Sequence, residues 1–106
     1  MLKLDQILGK GGVKLLIVQG DTSSTFACAL SAFNNKVPIG HVEAGLRTYN
    51  LASPFPEEGY RQMISRIASL HWAPTQKALD ILLEEGIKNV RPVSYTHLTL
   101  PTSDLV

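Results

Sequence analysis

The amino-acid sequence predicts an α/β fold in which an open parallel sheet is flanked by helices. Short apolar runs alternate with segments of helical period, so that a helix and then a strand follow each other four times along the chain. The first run, residues 14–18, has only its opening lysine as a polar residue, as is typical of strands covered on both faces of a parallel sheet. Connections are short, with one exception over residues 44–56. These observations indicate successive βαβ units.

Size and composition limit the classes of protein. The chain has 106 residues, enough for one small domain or part of a larger one, and its 44% hydrophobic and 18% charged residues indicate a soluble globular protein. The net charge is +1 and the ten Lys and Arg residues are scattered, so no nucleic acid partner is expected. No run is long enough to span a bilayer and no signal segment opens the chain, so we expect a cytoplasmic protein without membrane contacts. The single cysteine, Cys28, is interpreted as a packing thiol rather than a nucleophile.

The first elements form a helix, a strand and a second helix. Residues 2–8 carry Leu and Ile at helical spacing, and Gly9 ends this helix. The strand over residues 14–18 is followed by the hydroxyl residues 22–25, which open the next helix. The apolar stripe of that helix is predicted to comprise Phe26, Ala29, Leu30 and Phe33.

The next strand leads into the one long loop. Residues 37–43 are predicted as this strand, with Pro38 near its start. Alternation along the strand places three side chains on one side, those of Ile39, His41 and Glu43. Residues 44–56 contain Gly, Asn and two prolines and are predicted to have no regular structure. Loops of this length in a compact α/β unit are usually functional.

A third helix begins at Pro56, where a first-turn proline is favourable. Its predicted core stripe is Tyr60, Met63, Ile64, Ile67 and Ala68. On the same helical wheel Glu57 is predicted to be half-buried and Glu58 solvated. Arg61 and Arg66 are predicted to lie away from the core, and Arg61 has the spacing for an ion pair with Glu57.

The last elements are a strand, a helix and a strand, followed by a tail. Residues 70–73 are the third strand, residues 74–75 start a helix that Gly86 ends, and residues 87–93 are the fourth strand. The stripe of that helix is predicted to be Ala78, Leu79, Leu82 and Leu83. Residues 92–106 have no helical period and are predicted to be a disordered or non-native tail.

Three carboxylates are predicted to meet at one edge of the sheet. Asp21 and Glu43 end the first two strands, and Glu57 starts the helix after the long loop. Ligands of open α/β sheets bind beyond the carboxyl ends of the strands, and clustered carboxylates there can act as acid and base. Simpler roles are also open: a helix cap for Asp21, and complementation of a helix dipole for Glu57 or Glu58. For Glu43, which closes an apolar strand, a functional role is favoured.

Metal and phosphate motifs are weak. His41, His71 and His97 lack a metal-ligand spacing, and His41 with Glu43 offers at most two ligands, so no metal site is predicted. Residues 22–25 lack the glycine and lysine context of a P-loop. The helix that they open still offers free N–H groups to an anion.

Four ordered motifs resemble a known family, the non-hydrolysing UDP-N-acetylglucosamine 2-epimerases. They are Val-Gln-Gly-Asp-Thr at 18–22, Gly-His-Val-Glu-Ala-Gly-Leu-Arg-Thr at 40–48, Ser-Pro-Phe-Pro-Glu-Glu at 53–58 with Arg61, and His-Trp-Ala-Pro-Thr at 71–75. The resemblance covers Leu4 to Asn89. It implies a glycosyltransferase-B-type fold, of which residues 1–91 would be part of the N-terminal Rossmann-like domain.

The resemblance also implies a reaction and a set of site residues. Asp21, Glu43 and Glu57 match the catalytic carboxylates of this half of the family, and His41, Arg47 and Arg61 would bind substrate. The family interconverts UDP-N-acetylglucosamine and UDP-N-acetylmannosamine by C2 proton abstraction, UDP elimination and UDP re-addition, without metal or nicotinamide. A UDP-sugar substrate and a homodimeric parent protein are therefore expected.

Some features depart from the family pattern. Tyr60 stands where an Asn is usual, and its ring is expected to disturb the adjacent end of the helix. The glycine-rich start of the domain and the whole second domain are not in this chain, so the isolated chain is expected to be inactive. Two alternatives stay open: a hydrolysing UDP-N-acetylglucosamine 2-epimerase, and a non-catalytic nucleotide-sugar-binding fragment.

Overall fold

A computed structural model describes residues 2–93, with side chains from residue 4 onward. Four parallel strands form one sheet in the order β1-β2-β3-β4, which confirms the predicted open α/β sheet with flanking helices. The elements are α1 (Leu2–Gly9), β1 (Leu16–Gln19), α2 (Ser23–Asn34), β2 (Ile39–Val42), α3 (Glu57–Ile67), β3 (Leu70–Ala73), α4 (Gln76–Glu84) and β4 (Val90–Pro92). No helix within this range is long and apolar enough to cross a membrane.

The strand boundaries differ from the predicted ones by up to three residues. β1 starts and ends later than predicted, and β2 ends at Val42, so Glu43 lies outside the strand. β4 includes Pro92, and the Val93 N–H donates to the Ala73 carbonyl at 2.9 Å, so the first two residues assigned to the tail continue the sheet. The rest of the predicted tail, residues 94–106, lies outside the described residues, as does His97.

The strand register aligns the ends of the first three strands. Val18 on β1 pairs with His41 on β2, which in turn pairs with His71 on β3. Because all the strands are parallel, their carboxyl ends lie at the same edge of the sheet. The segments that leave this edge are the short turn into α2, the long loop before α3 and the short turn into α4.

Two apolar clusters hold the helices on the sheet. The larger cluster joins α1, α2 and α3 to the first two strands, and its buried members are Leu8, Val18, Ala29, Ala32, Val37, Ile39 and Ile64. Cys28 packs against this cluster, in agreement with its interpretation as a packing residue. The smaller cluster joins α4 to the sheet edge through Ala44, Ala73, Ala78 and Leu82.

The predicted helix stripes are correct at their centres and wrong at their margins. Ala29, Ile64 and Leu82 are fully buried as predicted, but large apolar side chains predicted to be core are exposed. The exposed ones are Leu30, Phe33, Met63 and Leu83. In α2 the buried positions are small (Ala29, Ser31, Ala32), which allows close approach of the α2 backbone to its neighbours, so the large residues turn outward.

Tyr60 does not disturb α3, contrary to expectation. Its ring stacks on Phe26 of α2, with ring centroids 5.1 Å apart and an interplanar angle of 13°. Offset stacking of this kind is favourable. The helix begins at Glu57 and runs without interruption to Ile67.

Trp72, the single tryptophan, lies against the backbone of Gly40 on the neighbouring strand. A Cβ atom at Gly40 would be 2.7 Å from the Cζ3 atom of Trp72, which is closer than van der Waals contact allows. A residue without a side chain is therefore required at this position of β2.

We expect Gly40→Ala to lower the free energy of unfolding by about 1–3 kcal/mol, because the added methyl group overpacks the strand against Trp72. Urea unfolding followed by the fluorescence of Trp72 measures the change. Gly59→Ala is the matched control, since a Cβ there meets only Leu51 at 4.0 Å and alanine favours the helix. Equal destabilisation by both variants would contradict the steric explanation.

Candidate active site

Asp21 lies just beyond the end of β1, where Gly20 turns the chain with a φ of 85°. The cap of α2 is Thr22, whose hydroxyl oxygen accepts from the Thr25 N–H at 3.2 Å. Asp21 is therefore not the helix cap, which removes its simplest structural role. Its Oδ2 atom lies 3.5 Å from a terminal nitrogen of Arg61 on α3.

Glu43 follows the end of β2 in a left-handed backbone conformation, with a φ of 67°. Strand alternation therefore does not determine where its side chain points. Its Oε1 atom accepts a hydrogen bond from the Gln19 side-chain amide at 2.7 Å, which joins the ends of β1 and β2. A non-glycine residue with positive φ stores backbone strain, and such strain is concentrated at functional sites.

Glu57 is the first residue of α3 and is half-exposed, as predicted. Within residues 2–93 its carboxylate takes part in no hydrogen bond or ion pair, so the predicted pair with Arg61 does not form. Arg61, one turn further along α3, reaches Asp21. This contact places the first turn of α3 beside the end of β1, on the same sheet edge as Asp21 and Glu43.

Glu58 is fully buried, so the prediction that it is solvated is wrong. The loop before α3 folds over the helix start and presents the backbone N–H groups of Thr48 and Tyr49 to its carboxylate. Burial alone raises the pKa of Glu58, but hydrogen bonds from Gln62, from these two amides and from Arg61 outweigh it and lower the pKa to about 2. The carboxylate is therefore charged at neutral pH.

Arg61 is also buried, although the helical wheel places it away from the core. Its Nε atom donates to Glu58 at 2.6 Å, and one terminal nitrogen faces Asp21. The true buried face of α3 carries Glu58, Arg61, Ile64 and Ser65. Sequence periodicity missed this face because it counts only apolar residues, whereas here a charged pair at i and i+3 is buried together.

Arg47 is held entirely by protein groups in the described part of the chain. Its side chain is inaccessible to solvent and donates two hydrogen bonds of 2.9 Å to Glu85, one to the Ser65 hydroxyl and one to the Leu46 carbonyl. The Tyr49 hydroxyl also donates to Glu85 at 2.6 Å. Arg47 thus anchors the long loop to the end of α4, and a contact of Arg47 with substrate stays a prediction.

His41 and His71 lie side by side in the core, on paired positions of β2 and β3. The Nε2–H of His41 donates to the Gly20 carbonyl at 2.8 Å, which fixes the turn that carries Asp21. Neither Nδ1 atom has a hydrogen-bond partner among the described residues. Burial, with a smaller effect of the nearby Arg47 charge, lowers the pKa of both rings, and the pKa of His71 falls to about 4.

A cavity of about 280 Å³ opens between the long loop and the start of α4. It is lined by Gly45, Leu46, Arg47, Arg61, Thr75, Lys77, Ala78 and Ile81, a set with three cations and no acid. Gly45 is required at its wall, because a Cβ atom there would lie 2.4 Å from the Ala78 carbonyl oxygen and its φ is 92°. Within residues 2–93 no three His, Cys, Asp or Glu side chains are grouped to hold a metal ion.

Comparisons with known proteins identify the family of this chain. A family model described as UDP-N-acetylglucosamine 2-epimerase matches residues 1–95. The chain is 49% identical over 88 residues to the UDP-N-acetylglucosamine 2-epimerase of Salmonella borreze and 50% identical over 88 residues to that of Bacillus subtilis. Each alignment covers 83% of this chain and 23% of the relative.

Solved structures of UDP-GlcNAc 2-epimerases are also similar to this chain. The UDP-GlcNAc 2-epimerase of Neisseria meningitidis bound to UDP-GlcNAc superposes with a TM-score of 0.80 at 45% identity, over 84% of this chain and 25% of the other. The Methanocaldococcus jannaschii enzyme in complex with UDP-GlcNAc and UDP gives 0.79 at 37% identity, over 87% and 25%. The described sheet and helices therefore form part of a glycosyltransferase-B-like α/β fold.

The chain belongs to the UDP-N-acetylglucosamine 2-epimerase family. It spans about a quarter of the length of the relatives that it matches. Asp21, Glu43 and the first turn of α3 lie at the sheet edge where sequence reasoning expects them. That reasoning missed Glu58 as a buried group and Glu85 as a partner of Arg47.

We expect Glu85→Gln to lower the free energy of unfolding by about 1–3 kcal/mol, because Arg47 loses its charged partner while it stays buried. Thermal unfolding monitored by circular dichroism measures the change. Glu84→Gln is the matched control, since Glu84 is exposed and its carboxylate has no partner within residues 2–93. An equal effect of the two substitutions would show that the Arg47 contact adds nothing to stability.

We expect the free energy of unfolding to fall as the pH drops from 6.5 to about 4. In this window the unfolded chain binds protons at histidine, while folded His71, whose pKa is lowered to about 4, stays neutral. A second loss is expected between pH 4.5 and about 2, where the Glu58 carboxylate becomes protonated on unfolding. Urea unfolding at a series of pH values measures both.

His71→Leu provides the control for the first window. It removes one of the two buried rings, so the dependence of the free energy of unfolding on pH between 6.5 and 4 should become weaker. The dependence below pH 4 should stay as in the unaltered chain. An unchanged slope in the upper window would show that the buried His71 is not its source.

Proposed function

We propose that the protein to which this chain belongs interconverts UDP-N-acetylglucosamine and UDP-N-acetylmannosamine. The observation that carries the proposal is the placement of Asp21 and Glu43 at the ends of adjacent strands, in a chain of this family. Glu57 lies on the helix turn that reaches the same edge. The chain supplies these acids, and the rest of the protein would supply the remaining contacts to the UDP-sugar.

The chemistry requires proton transfer at one carbon from two faces. A carboxylate takes the C2 proton of the sugar, the C2–H electron pair forms a C1=C2 double bond, and the C1–O bond breaks so that UDP leaves with its electron pair. Return of a proton to the opposite face of C2, with re-addition of UDP at C1, gives the epimer. The reaction as a whole neither gains nor loses electrons, so these steps need no nicotinamide. Acids on separate segments can serve the two faces of one carbon.

The proposed roles follow the position of each residue. Asp21, Glu43 and Glu57 share the proton transfers, and Arg61 offers a cation beside Asp21 to the anionic substrate. His41 acts from the core by fixing the turn at Gly20, and Arg47 acts by anchoring the loop. A homodimeric parent protein is proposed on the family resemblance alone, and a cytoplasmic location on the single cysteine of the chain, which fits a reducing compartment.

We expect a chimera to epimerise UDP-N-acetylglucosamine if residues 4–91 of this chain replace the matching segment of the Bacillus subtilis relative. Asp21→Asn or Glu43→Gln in the chimera should lower kcat at least about 100-fold, since each removes a proton-transfer group. Proton NMR of the sugar anomeric signals follows the product. Glu84→Gln, which alters an exposed carboxylate on α4, is the matched control.

The products distinguish the alternatives. UDP-N-acetylmannosamine supports the proposal, whereas UDP with free N-acetylmannosamine would assign the hydrolysing reaction. A chimera that binds UDP-N-acetylglucosamine without turnover would assign a non-catalytic binding role. The 106-residue chain alone should show no turnover, because it spans about a quarter of the relatives' length.

A further inference from the structure

We propose that Glu58 is a positioning residue, whose buried carboxylate holds Arg61 beside Asp21 and holds the long loop over the candidate active site. The catalytic part of this inference rests on the proposed function. Its structural part concerns contacts within this chain. Glu58 itself is buried and would touch no substrate, so any effect on the reaction would act through Arg61 and the loop.

The carboxylate of Glu58 has a complete set of donors. Its Oε1 atom accepts from Arg61 Nε at 2.6 Å and from the Thr48 N–H at 3.1 Å. Its Oε2 atom accepts from the Tyr49 N–H at 3.0 Å and from the Gln62 side-chain amide at 2.8 Å. A buried carboxylate is tolerated only with such compensation. Complementation of the helix dipole does not require burial, so the dipole alone does not explain this environment.

Two of these donors belong to the loop and two to α3. The backbone of Thr48 and Tyr49 has no strand or helix partner, so Glu58 supplies the acceptors that this part of the loop lacks. Tyr49 also has a φ of 57°, a strained conformation that needs support from its surroundings. The carboxylate therefore ties the loop to the first turn of α3, next to Glu57.

The bond to Arg61 fixes the orientation of a planar group. With Nε held by Glu58, the plane of the guanidinium is restricted, and its Nη1 atom lies 3.5 Å from Asp21. The same side chain lines the cationic cavity at the start of α4. Removal of the charge on Glu58 frees the guanidinium to move toward Asp21 or into the cavity. Either movement changes the surroundings of a carboxylate that the proposed reaction uses.

The pair of Arg47 with Glu85 offers a matched comparison inside the same chain. It too anchors the long loop through a buried arginine, but to the end of α4 and without contact to Asp21. If Glu58 only stabilised the fold, its removal would act like removal of Glu85. If it positions Arg61, its removal has consequences at Asp21 that removal of Glu85 lacks.

The structural arm of the test uses the 106-residue chain and nitrogen-15 NMR. In the unaltered chain, the Nε–H of Arg61 should exchange with water at least tenfold more slowly than that of exposed Arg66. Glu58→Gln should speed exchange at this Nε–H and at the Thr48 and Tyr49 amides at least tenfold. Glu85→Gln should leave all three slow. Fast exchange of the Arg61 Nε–H in the unaltered chain would overturn the inference, even if no variant folds.

The catalytic arm uses the active chimera described above. Glu58→Gln should lower kcat at least tenfold and change the pH profile of kcat, because the surroundings of Asp21 change. Val37→Ala is the stability control: it removes buried methyl groups just before β2, at the opposite edge of the sheet from the acids, and should lower the melting temperature with kcat within twofold. A loss of kcat equal in both variants would reduce Glu58 to a structural residue.

The two arms distinguish failure of the proposed function from failure of the positioning role of Glu58. An unaltered chimera without epimerase activity would overturn the proposed function, and the exchange rates would still decide whether Glu58 positions Arg61. An active chimera that keeps its kcat after Glu58→Gln would overturn the positioning role and leave the proposed function standing.

Discussion

The buried carboxylate of Glu58 is the interaction on which the candidate site depends. Burial removes this charge from water, and hydrogen bonds from four donors on two segments offset the free energy of desolvation. Because the donors come from α3 and from the loop, neither segment can move without leaving a buried charge unsatisfied. The position of Arg61, 3.5 Å from Asp21, follows from this constraint.

The sheet supplies the second constraint, which is independent of the first. His41, buried in β2, binds the Gly20 carbonyl and so fixes the turn before Asp21, while Gln19 binds Glu43 across the ends of two strands. Short parallel strands place these groups at one edge at no additional cost. The sheet thus positions Asp21 and Glu43, and the start of α3 with the long loop lies beside them.

Sequence patterns predicted the elements better than the faces of those elements. The period of apolar residues located all four helices, and Ile64 and Leu82 are buried as expected. The same rule misplaced Glu58 and Arg61, because charged residues that satisfy each other can be buried and periodicity does not register them. The left-handed conformation of Glu43 likewise has no signal in the residue type, because glutamate rarely adopts a positive φ. The family motifs indicated Asp21, Glu43 and Glu57 as the acids, but they did not indicate which side chains contact them.

The long loop is fastened at its first residues and where it joins α3, and is exposed between. Thr48 and Tyr49 are tied to Glu58, and Arg47 to Glu85, whereas Leu51 and Phe55 are 62% and 77% exposed. Sequence change around Leu51, which lies outside the motif at 53–58, is therefore decoupled from the placement of the acids. In evolutionary terms, this segment can diversify the surface that borders the site while the proton-transfer groups stay in register.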